Sequence, residues 1–363
     1  MKDCLILLAA VLYGVPVAAA PFYTITNIGG VGDSLSEAFF INAFGAAVGT
    51  AYDPFGTSHG FSYESYAESF GGRSDARGIN SHGIVVGSRA GFATVWRNGN
   101  PEGVGTLGGS GSTGAAINDL GQVTGSSLTL QDRRHAFLAS GGLLIDLGTL
   151  GGAWSTGNAV NDKGQVAGSA QTRRGDVHAF RWDARFGMRD LGTLGGVESR
   201  AMSMNSSGVV VGAATNRSRY FHAALWGADG IVRDLGTLGG GHSYAYGVND
   251  SGVVVGTSYD AEGRSRAFVW MDGTLLDLND LVEDLSGWSL THAYGVNASG
   301  QIVGSGLWNG QTTAFRLEPS TMKVASDEID AQLAVPEPSG WFMLATGALA
   351  LYICGKLKLT ATY

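Results

Sequence analysis

The chain has 363 residues, enough for one large domain or two ordinary ones with a substantial core. Glycine supplies 58 of them, roughly twice the usual share of about 7%, and hydrophobic residues at 44% exclude a disordered polymer, so the glycine must punctuate many short elements. A formal charge of −8 argues against general nucleic-acid binding, because affinity for phosphate needs a basic surface.

The N-terminus reads Met1-Lys2-Asp3-Cys4, then an apolar run from Leu5 to Val17, then Ala18-Ala19-Ala20-Pro21. A charged start, an apolar middle and a small-residue end make residues 1–20 a secretory signal, too short in its apolar part for the ~20 residues of a membrane span. Cys4 leaves with that signal and the only other cysteine, Cys354, stands near the C-terminus. Between them no disulfide and no thiolate zinc site can form, so packing and strand pairing must hold the body together.

The body, residues 21–320, is seven copies of one unit. An Asn-x-x-Gly-x-x-x-Gly pattern begins at Asn42, Asn80, Asn118, Asn161, Asn205, Asn249 and Asn297, at spacings of 38, 38, 43, 44, 44 and 48. Six residues ahead of each asparagine stands a hydroxyl: Ser36, Ser74, Ser112, Ser155, Ser199, Ser243 and Thr291. Gly-Thr-Leu-Gly-Gly starts at Gly105, Gly148, Gly192 and Gly236, preceded in three cases by Asp146, Asp190 or Asp234 with its leucine. A further segment reads His135-Ala136-Phe137, His178-Ala179-Phe180 and His222-Ala223-Ala224, with looser versions at Arg266-Ala267-Phe268 and Thr313-Ala314-Phe315. These segments resemble the HAF repeats of extracellular proteins over about residues 22–318. The resemblance implies an extracellular setting and supplies no catalytic residue.

Each unit parses into four short strands. In repeat four these are Ser155 to Val160, Gln165 to Ser169, His178 to Trp182 and Gly187 to Leu191, with Asn161-Asp162-Lys163-Gly164 as a tight turn. Four strands in ~43 residues is the blade of a β-propeller, so the expected fold is all-β, a seven-bladed propeller of four-stranded blades. Repeat seven stops after its third strand, while Phe22 to Gly30 reads as an orphan fourth strand with its glycine pair. Pairing the two closes the ring and hides the edges. A right-handed β-solenoid is the alternative; it needs capping repeats and does not predict the complementary orphan.

After a linker at 321–334 the chain reads Val335-Pro336-Glu337-Pro338-Ser339, an apolar run from Trp341 to Gly355, and a short tail with Lys356 and Lys358. Residues 335–363 resemble the PEP-CTERM sorting signal of Gram-negative bacteria. The resemblance implies an exosortase as partner, transient passage through the inner membrane by residues 341–355, and delivery to the cell surface or extracellular matrix.

Ser, His and Asp recur together as Ser112/His135/Asp146, Ser155/His178/Asp190 and Ser199/His222/Asp234. A catalytic triad is needed once; a set repeated in consecutive blades is expected to be a structural hydrogen-bond network. One histidine per blade cannot share an ion, and the Asn-Asp turns at Asp119, Asp162 and Asp250 lack the carboxylate that a calcium loop requires, so no metal or cofactor is expected. Trp96, Trp182, Trp226 and Trp270 on the third strands are expected in the core between blades.

Variation between repeats carries the functional reading. After the hydroxyl come Glu37, Asp75, Thr113, Thr156, Arg200, Tyr244 and His292, and two residues further Phe39, Arg77, Ala115, Asn158, Met202, Tyr246 and Tyr294. Loops between second and third strands hold the arginines Arg133/Arg134, Arg173/Arg174, Arg217/Arg219 and Arg264/Arg266. Such a rim suits an acidic exopolysaccharide through bidentate contacts. The expected function is a non-enzymatic, surface-sorted matrix protein. The competing class is a polysaccharide lyase or glycosidase, for which Glu37 and Asp75 are the candidate carboxylates, and a third reading is a purely structural surface component that takes no ligand.

Overall fold

A computed structural model describes residues 22–29, 35–64 and 67–320. The secretory signal, the linker, the Pro-Glu-Pro motif at 335–338 and the apolar run at 341–355 lie outside the described residues.

Repeat four shows how sequence becomes blade. Its strands are Gly151–Val160, Val166–Thr172, Val177–Asp183 and Gly187–Asp190, hydrogen-bonded in that order and antiparallel throughout. Along the first strand Ser155, Gly157 and Ala159 are buried and the residues between them only partly so, the period-2 pattern of a strand with two different faces. At its end the backbone N–H of Gly164 donates to the carbonyl of Asn161 at 2.9 Å, and Gly164 takes φ +69°. An L side chain resists that conformation, which is why the first motif glycine recurs in every repeat. The asparagine Oδ1 accepts the N–H of Lys163 and of Gln165, both at 3.1 Å, completing the turn from its own side chain.

The described residues form seven such sheets, each of four strands. In the seventh, Trp288–Val296, Ile302–Trp308 and Gln311–Ser320 come from the C-terminal end and the outer strand is Phe22–Asn27 from the N-terminal end. The register runs from Phe22 opposite Ser320 to Asn27 opposite Phe315. Tyr23 is tied as well to the segment entering this blade, donating to Leu281 O at 2.9 Å and accepting from Glu283 N at 3.1 Å. The ring is closed as the orphan strand implied, and the fold is a seven-bladed β-propeller.

The core is distributed rather than central. Each of the seven buried apolar clusters joins two neighbouring blades: Ala136 and Leu138 of the third meet Val166 and Phe180 of the fourth, and Val303 and Ala314 of the seventh meet Ala38 and Ile41 of the first. Trp96 and Trp226 are each 1% exposed, and Trp182 and Trp270 pack partly buried against these clusters. A blade therefore has no hydrophobic core of its own, and stability resides in contacts between blades.

Candidate functional site

The first strand of every blade faces the axis, and in all seven the ladder slips by one residue at the same place. The shifts fall between Ala38 and Phe40, Ala76 and Gly78, Gly114 and Ala116, Gly157 and Ala159, Ala201 and Ser203, Ala245 and Gly247, and Ala293 and Gly295. Each is a β-bulge, which bends the strand and re-aims a side chain. The bulge explains the second motif glycine: a Cβ on Gly168 would lie 1.9 Å from the carbonyl oxygen of Thr156, and one on Gly49 would lie 2.0 Å from that of Glu37. Phe180 stands opposite Gly168 and its ring covers the bare backbone, as Phe61, Phe268 and Phe315 do in their blades.

At one mouth of the channel the motif asparagines form a closed belt. Each Nδ2 donates to the backbone carbonyl of the next asparagine: Asn42 to Asn80 and Asn80 to Asn118 at 3.1 Å, Asn118 to Asn161 at 2.8 Å, Asn161 to Asn205 at 3.3 Å, Asn205 to Asn249 at 3.2 Å, and Asn249 to Asn297 at 3.0 Å. Asn297 then donates to Asn42 at 3.0 Å and completes the circle. The belt uses both ends of every amide, so it is structural.

The repeated Ser, His and Asp separate into two devices. Ser155 Oγ accepts the N–H of Ala136 in the preceding blade at 2.8 Å and donates to Gly148 O at 2.5 Å; Ser112, Ser199 and Ser243 do the same at their own interfaces. The histidines pair within their blades: His135 with Asp146 at 2.9 Å, His178 with Asp190 at 2.7 Å and His222 with Asp234 at 2.8 Å. No hydrogen bond joins a hydroxyl of this set to an imidazole among the described residues, so no triad is assembled. Among the described residues no three His, Cys, Asp or Glu side chains gather around a metal position.

The opposite half of the channel breaks the symmetry. Phe39, Arg77, Asn158, Met202, Tyr246 and Tyr294 line an axial cavity of about 170 Å³. Residues two positions earlier share that face, so Glu37, Asp75, Thr113, Thr156, Arg200, Tyr244 and His292 form the next layer outward. The rings are in mutual contact: Tyr246 lies 5.1 Å from Tyr294, Phe39 5.4 Å from Tyr294, His292 5.7 Å from Tyr294 and Tyr244 6.5 Å from Tyr246. Tyr294 donates a hydrogen bond to Glu37 Oε1 at 3.3 Å. Burial pushes the Tyr246 phenol up to about 12, reinforced by Tyr244, and raises Tyr294 further, with Glu37 adding to it. Burial likewise lowers the pKa of His292, with Glu37 pulling the other way. The two candidate carboxylates sit differently. Asp75 accepts Ser88 N–H at 2.9 Å and stands 3.6 Å from Arg77, and burial raises its pKa. Glu37 has no basic partner within ion-pair distance among the described residues.

The sequence displays these positions as variable without showing that they meet. The signal was their two-residue spacing, which places both layers on one face of a strand.

The arginine loops lie on the face away from the asparagine belt, where the Gly-Thr-Leu-Gly-Gly connections also run: Leu107, Leu150, Leu194 and Leu238 bridge to Thr129, Thr172, Asn216 and Asp260 at the loop bases. The arginines occupy different places in the hairpins. The left-handed position is Asp132, Gly175, Arg219 and Gly263 in turn, so Arg173, Arg174 and Arg217 precede it, Arg219 occupies it, and Arg133, Arg134, Arg264 and Arg266 follow it. Arg264 and Arg266 must be taken out of the expected rim. Asp260 binds Arg264 at 2.7 Å and Arg266 at 3.1 Å, and Glu262 also binds Arg264 at 2.7 Å, so their charge is neutralised within the blade. Burial works to raise the pKa of Asp260, but the Arg264 N–H and the two guanidinium groups outweigh it and hold it at about 2. Arg133, Arg134, Arg173, Arg174, Arg217 and Arg219 are exposed and pair with no carboxylate among the described residues.

These features define a seven-bladed β-propeller with an asymmetric axial channel. No protein-family model matches the sequence, and no curated protein matches it. Solved structures do. An oligogalacturonate lyase in complex with manganese has TM-score 0.55 at 9% identity, covering 83% of this chain and 97% of that one. A puromycin hydrolase has TM-score 0.52 at 13% identity, covering 80% of this chain and 50% of that one. The acylaminoacyl peptidase of Pyrococcus horikoshii has TM-score 0.50 at 12% identity, covering 86% of this chain and 54% of that one. At such identities the likeness is one of fold, and function has to be argued from the site.

Proposed function

We propose that this is a non-enzymatic propeller, exported and sorted to the cell surface by an exosortase, whose arginine rim holds acidic exopolysaccharide. The observation that carries the reading is the set of six exposed arginines without carboxylate partners among the described residues, on one face of blades three to five. Because they occupy unlike hairpin positions, they offer a diffuse field of charge rather than a repeated pocket. Binding should then be multivalent, salt-sensitive and tolerant of linkage chemistry. Replacing all six with serine should abolish retention on an acidic polysaccharide such as alginate and leave the melting temperature nearly unchanged, since exposed charges contribute ~0–1 kcal/mol each to folding. Retention in the wild type should also weaken as salt rises beyond about 0.15 M. Unchanged retention in the variant sinks the rim.

The sorting half rests on the tail at 335–363. Changing Pro336, Glu337 and Pro338 to alanine should leave an unprocessed, membrane-retained precursor in a host with an exosortase. Normal processing of that variant removes the sorting claim.

A further inference from the structure

The channel half away from the asparagine belt has a second chemistry, unlike that of the rim. From the side chains that meet there, we infer that it is a binding site for the end of a neutral oligosaccharide, a pyranose ring stacking on the Tyr244–Tyr246–Tyr294 surface with its hydroxyls donating to Glu37.

Three observations select this ligand class. The first is charge. Arg77 stands 3.6 Å from Asp75 and Arg200 3.5 Å from Glu198, so both cations facing the axis are answered locally. Glu37 is left as the one carboxylate of this wall that accepts only a phenol, and an anionic ligand would meet it unshielded. The second is ring geometry. A site for an organic cation needs aromatic faces standing apart around it. Here the rings touch, with Phe39 and Tyr246 both against Tyr294, and the face of Phe39 already carries the Arg77 guanidinium at 5.1 Å. They make a continuous surface rather than a cage. On the strand of blade six its rungs are nearly parallel, 10° between His242 and Tyr244 and 9° between Tyr244 and Tyr246, and they descend from the loop face into the channel, where Tyr294 of blade seven meets Tyr246 at 49°. The third is the opposite wall, where blades three and four present Thr113, Thr156 and Asn158, all uncharged. Thr113 Oγ1 shares a hydrogen bond with Ser126 Oγ at 2.9 Å and Asn158 Nδ2 donates to Ala201 O at 2.7 Å, so Thr156 and the Asn158 carbonyl oxygen are what this wall offers a ligand. A pyranose has an apolar C–H face and a rim of hydroxyls, and matches a wall that is aromatic on one side and neutral-polar on the other.

This inference does not rest on the arginine rim, and the two fail separately. The test is calorimetric titration of the full-length protein with cellohexaose, maltohexaose and xylohexaose, with a galacturonate hexasaccharide as the charged comparison. At least one neutral hexasaccharide should bind. Glu37→Gln, which keeps shape and removes charge, and Tyr244→Ala should each weaken it by about tenfold or more, while Tyr244→Phe retains the stacking face and stays within a few-fold of wild type. The six-serine rim variant should bind the neutral sugar as the wild type does. If no neutral hexasaccharide binds, or if Glu37→Gln and Tyr244→Ala leave its affinity unchanged, the inference is wrong. Loss of neutral-sugar binding in the rim variant would also overturn it.

Discussion

The two glycines of the repeated motif are conserved in every blade for different reasons, and the difference is measurable. Gly164 is needed for its backbone conformation, φ +69°, and its ideal Cβ comes no closer than 3.4 Å to the Gln122 side chain. Gly168 is needed for space, since a Cβ would meet Thr156 O at 1.9 Å and the Phe180 ring at 2.9 Å. An alanine at 164 should therefore cost about 1 kcal/mol, the usual penalty for an L residue held at positive φ. An alanine at 168 has to move a strand or break the bulge, and should cost more, ~1–3 kcal/mol or above. Urea midpoints of Gly164→Ala and Gly168→Ala decide it; equal losses would mean that the close approach is relieved cheaply and that the bulge is not rigid. The hydroxyl six residues before the asparagine belongs to the same scale. Its type was legible in the sequence, but not its task, because Ser155 serves the N–H of Ala136 in the blade before it.

At the scale of the element, strand order and turns were readable from repeat four alone. The first strand nevertheless begins at Gly151, four residues ahead of the hydroxyl expected to open it, and takes in the last two glycines of Gly-Thr-Leu-Gly-Gly. Glycine argues against a strand in sequence; here Gly151 pairs with Thr172 and the ladder then slips before Ser155, so the segment is an irregular extension held by the neighbouring hairpin. The hairpins between second and third strands show the reverse limit. Counting residues made the arginines look equivalent, whereas the left-handed position at Asp132, Gly175, Arg219 and Gly263 reveals that they are offset. Hairpin register is set by backbone conformation, which composition does not display.

Ring closure is the property of the whole molecule, and it depends on one six-residue strand. Phe22–Asn27 covers the edge of Gln311–Ser320, and Ile28, 1% exposed, enters the cluster between blades seven and one. Deleting residues 22–29 uncovers that edge and opens that cluster together, because the same segment supplies both. The truncated protein should melt at lower temperature or associate through the bare strand, by size-exclusion chromatography with light scattering. A truncated monomer with unchanged melting would show that the ring does not need its latch. The asparagine belt makes the same point from the other mouth: its last link, from Asn297 to Asn42 across 255 residues of chain, exists only when all seven blades are in place.

The sequence by itself determined the number of blades, the strands in each, the turn asparagines and glycines, and the way the ring closes. These are local or repeated features, and seven copies let each be read against the others. What only tertiary structure decided is what repetition cannot encode. The hydroxyls and asparagines bond across blade boundaries, so their partners lie in the next repeat rather than their own. The serine that recurs with each histidine and aspartate is parted from them, because it bonds across the blade boundary while the other two pair within one blade. Arg264 and Arg266 lose their free charge to Asp260 through a hairpin whose register had to be seen. Tyr244, Tyr246, Tyr294, Phe39 and Glu37 come from three repeats and more than 250 residues of chain, and become one surface because the innermost strands converge on an axis.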